Sequence, residues 1–304
     1  MRIVSLLPSA TEIVSALGLG DSIVGVSHEC DYPEGVSDRP RLTHSILQHG
    51  LDPKAVDAAV ADASLNGVPI YAVDPEIMRD LAPDLIVTQG VCDVCAVSEP
   101  TVFDSLKLLP AAGSEVQVLS LTGMTVEGIM RDITQVGEVT GRLDAARNLV
   151  QSMRARWSAV EALPPLPTPP RVLMLEWPDP AWTAGHWVPE VVTAAGGTDV
   201  FGVAGGLSER KSWEDVAASD PDVIVSVACG HGLEKNLEFA RSLRAHPLMR
   251  NVTAVQEGRV YAADANSYFS RPAPRVVRGA ELMAYVLGRK NAGIPGDHEL
   301  VRAW

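Results

Sequence analysis

The chain has 304 residues, too many for one small core and enough for two domains of ordinary size. Hydrophobic residues make up 46% and charged residues 21%, which excludes a disordered chain. A net charge of -13 disfavours nucleic acid as a partner, and no apolar run reaches the roughly 20 residues that a membrane span needs.

The N-terminal run Arg2-Ile3-Val4-Ser5-Leu6-Leu7 is apolar, but Pro8 and Glu12 interrupt it, so it reads as a first strand and not as an export leader. Ser9-Ala10-Thr11-Glu12 has the spacing of a capping box, which predicts a helix to Leu17 stopped by Gly18 and Gly20. Two echoes then divide the chain. Pro83-Asp84-Leu85-Ile86-Val87-Thr88 returns as Pro221-Asp222-Val223-Ile224-Val225-Ser226, and Arg2-Ile3-Val4 returns as Arg171-Val172-Leu173. Such short β-branched runs suit strands buried on both faces of a parallel sheet. The fold class expected is therefore α/β, with two similar lobes on mainly parallel sheets and a ligand cleft between them.

Residues 1–123 are expected to form the first lobe and 164–290 the second. From Arg142 to Leu163 the apolar positions recur at spacings of three and four, a helix of about 33 Å. With a preceding helix from Thr125 to Thr140 it makes 124–163 a rigid connecting backbone. Five Pro between Pro164 and Pro170 form a stiff extended link, and residues 291–304 read as a Gly- and Pro-containing tail.

Ligands of open α/β sheets sit beyond the carboxyl ends of the strands. Those positions hold Ser27-His28-Glu29-Cys30-Asp31-Tyr32, Thr88-Gln89-Gly90-Val91-Cys92-Asp93-Val94-Cys95, Glu176-Trp177 onward to Trp187, Cys229-Gly230-His231, and Asp264 to Pro272. Their Trp, Tyr, His and Cys suit a large, partly apolar small molecule. Cys92 and Cys95 form a lone CxxC. With Cys30 and His28 it is a weak candidate for Zn or Fe, and inert or redox-active thiols are favoured over a metal. His28 is either an axial imidazole for a metal in the ligand or a hydrogen-bonding side chain. His186 and His231 read as exposed loop residues. Neither a GxSxG elbow nor HExxH is present, so no enzyme is expected.

The stretch Arg2 to Glu12, then Gly25-Val26-Ser27 leading to Asp31-Tyr32-Pro33, and finally Tyr268-Phe269-Ser270-Arg271-Pro272-Ala273-Pro274-Arg275, resembles the vitamin B12 substrate-binding proteins of ABC importers. These belong to the helical-backbone class that also takes iron-siderophores and haem. The resemblance implies a corrinoid as ligand, with no further cofactor, held by Tyr32, Trp177, Asn266, Tyr268 and Arg271, and the reading of the strand-end loops adds His28, which departs from the family pattern. It implies a membrane permease as partner, docked through Glu214 and its weaker counterpart Glu99. An extracytoplasmic monomer is expected, with a cytoplasmic thiol or metal protein as the alternative.

Overall fold

The computed structural model describes residues 1–48, 50–90, 116–289 and 293–304. The chain divides into two compact units. The first comprises Met1–Gly123 with Glu127–Gln151, and the second Met124–Val126 with Ser152–Trp304.

The first unit is built on a four-stranded parallel sheet in the order β2-β1-β5-β6, with β1 at Ile3–Ser5, β2 at Ile23–Val26, β5 at Leu85–Gln89 and β6 at Gln117–Leu121. Helix α1 (Pro8–Val14) leads from β1 towards β2. A two-stranded antiparallel ribbon, β3 (Thr43–Ser45) with β4 (Tyr71–Val73), accompanies α2 (Pro53–Leu65) and α3 (Pro75–Leu81). Val4, Leu6, Leu42, Val73, Met78 and Ile86 form a core on one side of the sheet. The capping box read at Ser9 is absent. Pro8 takes the first helical position and Leu7 is the N-cap, so Ser9 lies inside the helix, buried, with no hydrogen-bond partner on its hydroxyl. The ring of Pro8 fixes a helical φ and lacks the N–H that a cap would serve, which moves the start two residues earlier, from a cap at Ser9 to one at Leu7.

Two further helices follow, α4 (Val126–Val139) and α5 (Leu143–Glu161), separated at Gly141, whose φ is 68°. The boundary of the units falls at Gln151/Ser152, inside α5.

In the second unit, β7 (Arg171–Pro178) and β11 (Val223–Ser226) pair in parallel, as do β11 and β12 (Val260–Ala263), while β9 (Thr198–Asp199) lies parallel to β7. The path β9-β7-β11-β12 repeats the path β2-β1-β5-β6. Antiparallel strands extend the sheet: β8 (Ala181–Thr183) and β10 (Glu209–Arg210) at one edge, β13 (Leu300–Arg302) at the other. Helix α6 (Val188–Ala194) joins the strands as α1 does, and α7 (Trp213–Ala218), α8 (Leu233–Ser242), α9 (Thr253–Gln256), α10 (Ala265–Tyr268) and α11 (Val276–Val286) complete the unit.

The sequence echo has a physical cause. Asp84 accepts a hydrogen bond from the Arg2 amide (2.7 Å), and Asp222 accepts one from the Arg171 amide (2.8 Å). The return bonds run from the Asp amides to the Arg carbonyls, at 2.9 and 2.8 Å. Each Arg side chain then donates to a carbonyl just before the Pro, Leu81 or Ser219. Each Pro is preceded by a left-handed residue, Ala82 (φ 40°) or Asp220 (φ 39°). The same lock sets the entry of the two central strands in both units.

Two expectations need correction. The strand after Arg171 does not stop at Leu175. It runs to Pro178 and turns back over Asp179-Pro180, so that Trp177 and Trp182 are cross-strand partners in a hairpin. Residues 300–304 are no loose tail either. β13 pairs with β12, Arg241 donates to the Ala303 carbonyl, and Trp304 joins the core around Leu173 and Ile224 under Arg244. Replacing Asp222 by Ala is expected to lower the unfolding free energy by about 1 kcal/mol in urea denaturation, since the Arg171 amide at the strand entry loses its carboxylate acceptor while staying within reach of water. An unchanged midpoint would show that the lock does not hold the strand entry.

Candidate functional site

In the first unit the candidate residues follow β2. Ser27 and Cys30 are buried, His28 and Glu29 half-buried, and Tyr32 is 43% exposed. The buried Thr43 hydroxyl organises this loop. It accepts from the His28 amide (2.9 Å), lies 2.7 Å from His28 Nδ1 and donates to Ser27 Oγ (3.1 Å). Tyr71 of β4 packs its ring 5.4 Å from the His28 imidazole, and its hydroxyl donates to Glu29 (3.3 Å). The Arg41 guanidinium donates to the His28 carbonyl. The strand-end loop is thus pinned by β3 and β4, which the sequence reading did not single out.

Cys30 is fully buried, its Sγ 3.1 Å from Thr11 Oγ1, and Thr11 also donates to Ser5 Oγ (2.8 Å). That environment belongs to the interior. Cys92 and Cys95, its partners in the suggested Zn or Fe site, and Glu99 lie outside the described residues. Among the described residues no group of three His, Cys, Asp or Glu is placed to hold a metal ion.

In the second unit three predicted loops meet. Trp177, at the end of β7, stacks on His231, which follows β11, with ring centroids 5.6 Å apart and an interplanar angle of 23°. His231 meets the edge of Phe239 at 5.5 Å, and the Asn266 amide donates to the His231 carbonyl (3.4 Å). Trp177, Asn266 and His231 therefore share one neighbourhood. His231 is half-buried, not an exposed loop residue as the sequence suggested. Its pKa lies below the usual imidazole value, first because burial strips it of water and then because Lys235 is near, with Glu238 acting the other way.

The residue that builds this neighbourhood is Asn236, on α8, with no solvent exposure. Its Oδ1 accepts from Ser226 Oγ (3.0 Å) and the Ala228 amide (2.5 Å). Its Nδ2 donates to the carbonyls of His231 and Gly232, both at 3.1 Å. One side chain thus pairs an amide and two carbonyls of the turn after β11 and helps fix where the imidazole stands.

Tyr268 and Arg271 lie on the last loop. Arg271 is half-buried and Tyr268 is 9% exposed, its hydroxyl donating to Glu299 and its ring 6.0 Å from the Arg275 guanidinium. Burial and the Glu299 carboxylate push the phenol up to about 12. Arg278 grips Glu299 with two nitrogens, at 2.9 and 2.7 Å, and holds its carboxyl down at about 2. The Asp264 amide donates to the Glu299 carbonyl at 2.9 Å. The segment expected to be a tail therefore supports the ligand loop. Glu214 is exposed in the first turn of α7, where Ser212 caps the helix through the Asp215 amide (3.0 Å).

Sheets of this order, with chemistry gathered at the strand ends of each unit, define a solute-binding protein of the two-lobed α/β kind. The chain belongs to the periplasmic binding protein family, whose model matches residues 3–267. It is 25% identical over 286 residues to the vitamin B12-binding protein of Vibrio cholerae, covering 92% of this chain and 86% of that one. It is 26% identical over 294 residues to the ABC transporter substrate-binding lipoprotein YvrC of Bacillus subtilis, covering 93% and 78%. The periplasmic haem-binding protein RhuT of Roseiflexus shares the fold, with a TM-score of 0.69 at 23% identity over 96% of this chain and 98% of that one. The chain is accordingly a binding protein and not an enzyme. No described helix is long and apolar enough to cross a membrane.

Two outcomes are expected from the site. Asn236→Ala leaves a buried amide and a buried hydroxyl without their acceptor and should cost roughly 2–4 kcal/mol in urea denaturation, with altered emission from Trp177. A loss under 1 kcal/mol would contradict the network. Glu299 has its pKa depressed from 4.5 to about 2, so its stabilisation is present above about pH 4.5 and disappears as the pH falls towards 2. Glu299→Gln should therefore show a shallower fall in melting temperature across that window than the unmodified protein. Parallel profiles would contradict it.

Proposed function

We propose that the chain binds a corrinoid through the strand-end loops of its units and delivers it to the permease of an ABC importer, on the extracytoplasmic side of the membrane. The observation that carries the reading is the convergence of Trp177, His231 and Asn266 at the ends of three strands. A stacked aromatic wall beside fixed polar groups suits a broad macrocycle with an apolar face and amide-bearing edges. Family membership and the B12-binding relative support the same ligand class.

His28 and Tyr32 are the contacts proposed from the first unit, with Trp177, Asn266 and Arg271 from the second. Tyr268 contributes by holding the last loop, since its hydroxyl is engaged by Glu299. Exposed Glu214 is proposed to dock on cationic side chains of the permease, with Glu99 as its counterpart. The protein acts as a monomer and needs no resident cofactor.

A haem or other iron chelate is the second reading, favoured by the same aromatic wall. Calorimetric and spectral titrations with cyanocobalamin, cobinamide and haemin separate the two. Saturable one-to-one binding of a corrinoid is expected, weakened by about tenfold in Trp177→Ala, the loss that removing one stacking wall of about 1.4 kcal/mol makes. Binding of haemin with no response to either corrinoid would overturn the assignment in favour of the second reading.

A further inference from the structure

We propose that His231 is a metal-donor residue: its imidazole displaces water from an axial position of the corrinoid's cobalt and so selects corrinoids with an exchangeable axial ligand. The inference rests on the corrinoid reading above and names the atom class that would read the metal.

Among the histidines of the strand-end loops, His231 is the one equipped for this. Among the described residues neither of its ring nitrogens has a hydrogen-bond partner, and neither is sealed from solvent. By contrast His28 Nδ1 is taken up by the Thr43 hydroxyl. His186 has a φ of 54°, and its Nε2 is closed off from solvent.

The ring of His231 is also held still. Trp177 covers one face and Phe239 meets it edge-on. Its backbone carbonyl accepts from both Asn236 Nδ2 and the Asn266 amide, and its amide donates to Ala228. A donor fixed in this way loses little conformational freedom on coordination. The neutral imidazole offers a nitrogen lone pair for coordination. Imidazole is a suitable ligand for a borderline transition ion.

The step is a ligand exchange. A Co–O bond to water breaks, a Co–N bond to the imidazole forms, water leaves, and no electron is transferred. Cys229, two residues earlier, is the other soft donor on this turn. Its amide donates to the Glu176 carbonyl, which fixes the backbone, and its thiol is in no disulfide and half-buried.

Spectral titration with diaquocobinamide and with dicyanocobinamide tests the proposal. The unmodified protein should bind diaquocobinamide with the absorption change of an aqua-to-imidazole exchange. His231→Ala should bind it about tenfold more weakly and without that change. Dicyanocobinamide, whose axial positions are filled by cyanide, should lose less affinity in His231→Ala than diaquocobinamide loses and should show no aqua-to-imidazole change with either protein, and Cys229→Ser should behave as the unmodified protein. Binding of diaquocobinamide by His231→Ala with the full spectral change would overturn the proposal and leave the corrinoid reading standing. No binding of any corrinoid by the unmodified protein would overturn both.

Discussion

A single primary amide carries the turn that brings His231 to Trp177 and Asn266 in the second unit. The turn after β11 leaves the Ala228 amide inside the protein with no backbone partner, while the carbonyls of His231 and Gly232 each receive one backbone amide, from Asn266 and Asn236, and have room for a second donor. Asn236, wholly buried, meets all of these groups from α8. Unpaired, the Ala228 amide would cost roughly 1–3 kcal/mol, so the turn takes this path only with the Asn236 side chain in place. The position of His231 follows, and through it the stack on Trp177 and the seat of Asn266. The first unit solves the same problem with a hydroxyl: Thr43, brought in on β3, satisfies the loop after β2 and orients His28.

The parallel sheet explains why chemistry collects at these ends. Strands buried on both faces offer no surface to a ligand, and their entries are occupied by the Arg2–Asp84 and Arg171–Asp222 locks. What remains is the carboxyl end of each strand, where the chain must turn and polar side chains can face outwards. The repetition of the path β2-β1-β5-β6 as β9-β7-β11-β12 puts such an end in each unit. The antiparallel additions at the edges of the second sheet serve different purposes. The β7–β8 hairpin carries Trp177, and β13 brings Glu299 under the last loop.

Much of this was legible in the sequence because it rests on short-range pattern. The Pro-Asp-β-branched echo marked two strands in register with their partners, and the lock shows why Asp recurs there. Trp177 was legible as a residue near a strand end because it closely follows the apolar run Val172 to Leu175, although β7 continues past it to Pro178. Asn236 was not, because an Asn three residues into a helix ordinarily faces water. Only its meeting with a turn that precedes it by several residues makes it central. His231 was misread for the same reason, since flanking Gly residues suggest exposure and the covering Trp177 lies more than fifty positions away. At the C-terminus, Gly and Pro near 293–296 hid the strand pattern of Leu300-Val301-Arg302. At the N-terminus, Pro8 overrode the capping signal of Ser9.

Binding is proposed to engage the loop ending β2 in the first unit and the loops ending β7, β11 and β12 in the second. Hydrogen exchange with and without cyanocobalamin tests that claim most directly. It predicts slowed exchange in peptides spanning 27–33, 176–182, 228–232 and 264–271, with the sheet interiors unchanged. Protection confined to other segments, or none at all at saturating corrinoid, would contradict it.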